Sequence, residues 1–402
     1  GLFEISPVAF LYLSTSLALA FVQPQFGISH RRPPVSLRVL KDPEQEILTT
    51  HDESTYEHRT AIRAPLKYLG LYIGLGLTFP DLATASQRAK NVSGVALDFV
   101  LDTAANTNTI NGQVAQELNL DVVGEALPGV GSSGTITGGH TYNLGDTQLE
   151  GVRFDEQDEP FIFMQNLTAA ALPVANPASA GLLSYAFLYC FQGGVEFNWG
   201  SPNSMTDGMM SEHPSITFFA EKDAEANQAI ENLSKVKIDP IPVTNLPSIL
   251  LDINGVEIPA LLDTGSPVTV MNSQAAKKAG IDTIALPAPS KESRNPFTAV
   301  SNRFKDAQAM AKAASEGNVL TIAGPQGPVH LLQSLETTEI SAKGADKDIS
   351  FGESHIYVGD IPGLAALNGI GVDAPPAIVL GLDVLRRRPK MVLRAQDNEV
   401  YF

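Results

Sequence analysis

The chain has 402 residues, 44% hydrophobic and 18% charged, with a net charge of −17. That length allows two or three ordinary domains, and the apolar share suits a folded protein. The acidity argues against nucleic acid as a partner, since phosphate binding needs clustered Lys and Arg, and leaves solubility or a cationic partner as its explanation. A single cysteine, Cys190, excludes an intramolecular disulfide, and in "YAFLYCFQGG" it reads as a small buried hydrophobe. The seven histidines show no ligand spacing, and no glycine-rich loop carries a lysine, so neither a metal nor a cofactor is expected.

The first 85 residues read as addresses. Val8 to Val22, in "VAFLYLSTSLALAFVQP", is an apolar run too short for an ordinary transmembrane helix, and it ends in small residues. That is the core of a secretory signal over residues 1–20. Residues 21–62 hold Arg31, Arg32, Arg38, Ser29 and Ser36 among several prolines, a transit-peptide composition. The junction "LALAFVQP" resembles the Ala-Phe cleavage motif of plastid presequences in algae with secondary plastids, such as diatoms, with Phe21 first after cleavage. Residues 63–85 form a second hydrophobic signal. Arg63 and Lys67 give a positive flank, Leu69 to Phe79 is uncharged, and Ala83-Thr84-Ala85 is an A-x-A cleavage pattern. This segment is similar to a thylakoid-lumen transfer signal. A membrane anchor or a core helix is the alternative, although Gly70, Gly74 and Gly76 weaken a helix. The expected destination is the plastid, in the thylakoid lumen, with the stroma or thylakoid membrane as alternatives. The mature chain is expected to begin near Ser86.

Residues 86–402 read as a diverged repeat, with a first lobe at 86–220, a linker at 221–245 and a second lobe at 246–402. "PALLDTGSPVTVMN" runs from an apolar strand into Asp263 and out into a β-branched strand. "ALDFVLDTAANTNTIN" matches it at an offset of 161, so Asp102 meets Asp263, Thr103 meets Thr264 and Asn111 meets Asn272. In each copy a short helix with Ala at its centre follows, ending near Gly or Asn. Each copy also ends alike, in "SAGLLSYAFLYCFQGGVEFNW" and "PAIVLGLDVLRRRPKMVLRAQDNEVYF". The second has the triplet Val379-Leu380-Gly381, and the first has Gly181-Leu182-Leu183 instead. The middles alternate apolar and polar residues between glycine turns, as β-hairpins do. "NRFKDAQAMAKAASEG" looks like a helical insertion. Asp383 reads as a solvated or capping residue, Asp252 as a hairpin residue before the Asn254-Gly255 turn, and Arg386 to Arg388 as a solvated face.

An apolar strand into Asp-Thr-Gly-Ser, a downstream apolar-apolar-Gly triplet and a duplicated half together resemble the aspartic proteases, and the retropepsin-like branch in particular. The likeness covers about residues 92–402. It implies an all-β fold, two retropepsin-like β-barrel lobes forming a pseudo-dimer, with short helices. It implies a catalytic dyad of Asp102 and Asp263, two carboxyls about 3 Å apart that cannot both ionise and so share a proton. By the same resemblance, Thr103 and Thr264 bond across the interface, the Gly265 amide points at the carboxylates, and Ser266 bonds the outer oxygen of Asp263. The substrate would be a peptide or protein lying extended in the cleft, with no cofactor. Copy one departs from the pattern. It reads Asp-Thr-Ala-Ala, so Ala104 replaces the usual Gly and is expected to crowd the loop or change its backbone angles. It also lacks an obvious first strand before "VALDFVLD". Three readings stay open: a single-chain endopeptidase acting as a monomer, a peptide-binding module that does not cut, and a homodimer with two copies of Asp263 as the dyad.

Overall fold

The computed structural model describes residues 61–402, apart from 131–135, 151–163, 173–178, 201–213, 243, 286–295, 325–326 and 362–374. The expected signal and transit peptides at 1–60 lie outside the described residues.

The first half enters along β1 (Ala61–Pro65) and β2 (Lys67–Leu69), turns at Gly70 and runs up β3 (Tyr72–Phe79). Residues 80–94 carry the short helix α1 (Ala85–Arg88), whose Thr84 cap accepts from the Gln87 amide, and lead into β4 (Val95–Asp102). β5 (Thr109–Ile110) and α2 (Gly112–Leu118) follow. The hairpin of β6 (Val122–Val130) and β7 (Ile136–Leu149) comes next, then β8 (Met164–Ala171) and β9 (Gly181–Ser184). After α3 (Tyr185–Leu188) the half closes with β10 (Gly194–Asn198) and β11 (Ser215–Phe219).

The second half repeats this order. α4 (Ala224–Ile230) and β12 (Lys235–Lys237) lead to β13 (Ser248–Ile253) and β14 (Val256–Leu262). Asn254 and Gly255, both at positive φ, form the two-residue turn that suits a twisted hairpin, and Asp252 accepts from the Gly255 amide at 2.8 Å. Then come β15 (Val270–Met271), α5 (Ser273–Ala279) and α6 (Pro296–Ser315), the expected helical insertion. β16 (Val319–Gly324) and β17 (Gly327–Gln333) form a hairpin, followed by β18 (Thr338–Ala342), β19 (Ile349–Ser354), β20 (Tyr357–Val358) and β21 (Ile378–Leu380). α7 (Leu382–Leu385), β22 (Lys390–Arg394) and β23 (Glu399–Tyr401) complete the chain.

Three sheets result. Eight strands of the first half pair as β2-β3-β4-β9-β5-β8-β7-β6, and nine of the second as β16-β17-β20-β15-β21-β14-β13-β18-β19. In each, the strand ending at the aspartate lies between an antiparallel and a parallel neighbour, β3 and β9 for β4, β13 and β21 for β14. Successive residues at the end of each strand, Phe99 to Leu101 and Ala260 to Leu262, are buried, so both faces are covered there and the apolar runs "FVL" and "ALL" are unbroken. The third sheet draws on both halves in the order β1-β11-β10-β22-β23-β12. Its centre pairs Val195 with Leu393 and Phe197 with Met391. About this centre β1 and β12 occupy equivalent outer places.

Three sequence expectations change. Leu69 to Phe79, expected to be a transfer signal ahead of the lobe, is built into it. Ile73, Leu75, Leu77 and Phe79 are buried, β3 registers with β4 from Gly74↔Val100 to Phe79↔Val95, and β1 pairs with β11 along its whole length. The first half therefore takes in β1, β2 and β3, and β3 is the first strand that copy one seemed to lack. It went unrecognised because residues 80–94 separate it from β4, where the second half has a two-residue turn. Among the described residues no helix is long and apolar enough to cross a membrane. Second, the linker at 221–245 contains β12, which pairs with β23. Third, the triplets align one residue later than expected. Leu101 registers with Leu183 and Leu262 with Leu380, so Ser184 in half one stands where Gly381 stands in half two.

Candidate active site

β4 and β14 end side by side at the junction of the halves, each at an Asp-Thr pair that is almost wholly buried. The Thr103 amide donates to Thr264 Oγ1 at 3.2 Å, and the Thr264 amide to Thr103 Oγ1 at 2.9 Å. Each hydroxyl then donates across to the last strand residue before the other aspartate, Thr103 Oγ1 to Leu262 O at 2.6 Å and Thr264 Oγ1 to Leu101 O at 2.9 Å. Four buried hydrogen bonds thus fix one loop against the other, with the amide and hydroxyl of both threonines satisfied. This is the cross-interface pairing the sequence resemblance implies.

The carboxyls are held equally. Asp102 Oδ1 accepts from the Ala104 amide at 2.8 Å, and Asp263 Oδ1 accepts from the Gly265 amide at 2.8 Å. A methyl placed on Gly265 would lie 2.4 Å from Asp102 Cγ and 2.6–2.7 Å from its oxygens. Gly265 therefore touches both carboxyls, its amide bonding one and its α-carbon lying against the other. Neither Ala104 nor Gly265 has a positive φ, so the position demands small size and not left-handed backbone. The Ala104 amide bond has the same length as its counterpart's, so the extra methyl does not draw that amide away from its carboxyl.

Ser266 differs from the expectation. Its hydroxyl donates to Val268 O at 2.7 Å, satisfied within its own turn, so its contribution to the Asp263 carboxyl comes from its backbone N–H. Asp263 Oδ2 is buried and has no N–H or O–H donor among the described residues. The group facing it is the Asp102 carboxyl, which donates only when protonated.

Burial pushes the Asp263 carboxyl up to about 7, against the pull of the Gly265 and Ser266 amides. Burial, reinforced by the negative charge of Asp263, raises Asp102 well above the usual carboxylate range. Two desolvated carboxyls in contact hold one proton between them over a wide acidic-to-neutral range, and the titration belongs to the pair.

Two segments, residues 90–187 and 249–293, match the family model of an aspartyl protease. No curated protein matches the chain. Among solved structures the chain is similar to conglutin gamma, a basic 7S globulin from lupine seeds, with 11% identity, TM-score 0.42, and coverage of 85% of this chain and 94% of that one. It is likewise similar to basic 7S globulin from soybean, with 10% identity, TM-score 0.43, and coverage of 85% and 96%. The fold is aspartic-protease-like, mostly β in two lobes.

Sequence reading missed one layer behind the dyad. Six residues after each aspartate stands a hydrogen-bonding side chain, Asn108 and Thr269. Ser184 N and Oγ both donate to Asn108 Oδ1 at 3.0 Å, while Thr269 Oγ1 accepts from Gly381 N at 3.1 Å and donates to Asp383 Oδ1 at 2.7 Å. The equal spacing was the available signal. Asp383 is accordingly a bonded, half-buried group and not a solvated one. Arg386 lies over the Tyr68 ring, 4.9 Å from its centroid, a contact between the halves.

Proposed function

We propose that this protein is an aspartic-type endopeptidase of retropepsin-like kind whose dyad is Asp102 and Asp263 of a single chain. The observation that carries the reading is the pair of buried carboxyls in contact, each bonded by the amide two residues on and braced through Thr103 and Thr264. The ionised carboxyl takes a proton from water as the water attacks the peptide carbonyl, and the protonated carboxyl donates to the carbonyl oxygen. No covalent intermediate is needed. Extended peptide substrate would pair its backbone with the β6–β7 and β16–β17 hairpins. The Thr103–Thr264 bonds occupy, within one chain, the face a dimer of second halves would use, which favours a monomer.

The test is incubation of residues 61–402 with a proteome-derived peptide mixture from about pH 4 to 7, the range in which shared-proton dyads work. Cleavage by wild type that both Asp102→Asn and Asp263→Asn abolish supports the reading. Folded protein that cuts nothing supports the second reading, a peptide-binding module. That reading is favoured by the near-complete burial of both carboxyls, 1% exposed each.

A plastid destination is proposed from residues 1–60. Delivery to the thylakoid lumen or membrane would require β3 to act first as a transfer signal. Reporters fused after residue 60 and after residue 85 separate the two, since only the longer fusion reaches the thylakoid if the second signal operates.

A further inference from the structure

A carboxyl outside the dyad is tied to it by an unbroken chain of bonds. Asp383, in the first turn of α7, accepts at Oδ1 from Thr269 Oγ1 at 2.7 Å and from the Val384 amide at 2.9 Å. Thr269 Oγ1 accepts from Gly381 N at 3.1 Å. The carbonyl of that same peptide unit, Leu380 O, accepts from Asp263 N at 3.1 Å. A peptide unit is rigid, so one end of a single plane is held by Asp383 through Thr269, and the other end holds the backbone of Asp263. The Gly381 end is closely packed as well. A methyl on Gly381 would lie 2.4 Å from Val268 O and 3.0 Å from Ser266 O.

The first half does the same job without an ionisable group. Its equivalent plane is Leu183–Ser184, held by the neutral Asn108 side chain, and Ala186 stands where Asp383 does. Ionisation can therefore enter the frame on one side only.

We propose that Asp383 is a positioning residue for Asp263, acting through Thr269 and the Leu380–Gly381 peptide and giving that carboxyl's placement a pH dependence of its own. This inference rests on the dyad reading. A carboxylate accepts a hydrogen bond more strongly than a carboxylic acid does, so the link tightens when Asp383 ionises and loosens when it is protonated. The charged and titratable groups facing Asp383 are Arg387, which favours the carboxylate, and the Tyr357 phenol on β20. Glu353, on β19, directs its side chain to Thr337 Oγ1. Burial shifts Asp383 above the ordinary carboxylate range, toward the pH at which the dyad works.

The experiment compares wild type, Asp383→Ala, Thr269→Val and the double variant, reading kcat and KM from about pH 3 to 7. Each single variant is expected to lower kcat about five-fold, the rate equivalent of one hydrogen bond, with KM unchanged. Both should lose the same limb of the pH profile, and the double variant should be no worse than either single one, since all three break one chain. Losses that multiply, or a change in KM or melting temperature alone, overturn the proposal. Should the wild type cleave nothing, the dyad reading fails but the proposal is still decided by the carbon-13 carboxyl titration of Asp263. A shift of about half a pH unit or more, equal in Asp383→Ala and Thr269→Val, sustains the link. An unmoved titration, or a shift in Asp383→Ala alone, sinks it.

Discussion

The two halves keep one frame and fill it differently. Where each half meets the other, they agree closely. The Thr-Thr bonds are reciprocal, the amide-to-carboxyl bonds are both 2.8 Å, and the backbone bond from the residue after the triplet mirrors too, Tyr185 N to Ala105 O and Leu382 N to Ser266 O. Where each half faces only itself, they part. Half one joins its central hairpin through residues 80–94 and a capped helix, where half two uses Asn254-Gly255. Half two adds α6 before its long hairpin, where half one goes almost directly from α2 into β6. Divergence is restrained by contact across the junction, because a change there must suit two partners.

The comparison can be broken hardest at the first half's entry. Removing residues 61–85 takes away β1 and β3 and uncovers β4 and β11. Burial of Ile62, Ile73, Leu75, Leu77 and Phe79 contributes about 1.5–3 kcal/mol each, a sum comparable with a whole domain's stability. The chain beginning at Ser86 is expected to show no cooperative melt by circular dichroism, whereas the chain from Ala61 does. Next in size are the dyad variants. Asp102→Asn and Asp263→Asn should each lower peptide cleavage by about 10²–10⁴-fold, and equal losses would mean that the halves contribute alike.

The small residue beside each carboxyl sharpens the contrast. Gly265→Ala drives a methyl against Asp102 and should destabilise by about 1–3 kcal/mol in denaturant titration, with loss of activity. Ala104→Gly should leave stability within about 1 kcal/mol, since its loop already accepts the methyl without a positive φ. Thr103→Val and Thr264→Val each strand buried donors and acceptors in the other half, and each should cost about 1–3 kcal/mol by the same measurement. A marked inequality would show that one loop leans on the other more than the bond lengths indicate.

The dyad's titration gives a pH signature. Asp263 is raised from its unfolded value near 3.8 to about 7, so its contribution to stability is fully present below the unfolded value and is lost as pH rises through the folded one. Melting temperature should therefore rise as pH falls from about 7 toward 4, and Asp263→Asn should flatten that slope.

The second half was legible because its signals are local. "LLDINGVEIPALLDTGS" contains a turn, two strands and the aspartate within one short window, and "IVLGLD" supplies the parallel neighbour. The offset of 161 then led from Asp263 to Asp102 and Thr103. The first half's strand "YIGLGLTF" carried a conflicting signal, since an uncharged apolar run with a basic flank reads equally well as an export address. Only pairing with β4 and β7, distant in sequence, distinguishes the two. Lys67 shows the ambiguity in one residue: the positive flank of the expected signal is the cation that bonds Asp98 at 2.6 Å and Glu150 at 2.7 Å across the sheet. The hydroxyl of Ser266 was misplaced for a similar reason. A sequence states which groups stand near an aspartate but not which nearer carbonyl will claim them.

The six-stranded sheet has a consequence for how the chain is made. β10, in the middle of the sequence, has β11 on one side and β22 on the other, and β12 waits for β23. The first half can assemble its own eight strands as it leaves the ribosome, yet the edge of β10 stays open until Lys390–Arg394 has been synthesised. Pairings so distant in sequence form slowly. Until they do, an unpaired strand edge is exposed to other chains, so the interval between synthesis of β10 and arrival of β22 is when this protein is most open to aggregation or to capture by a chaperone.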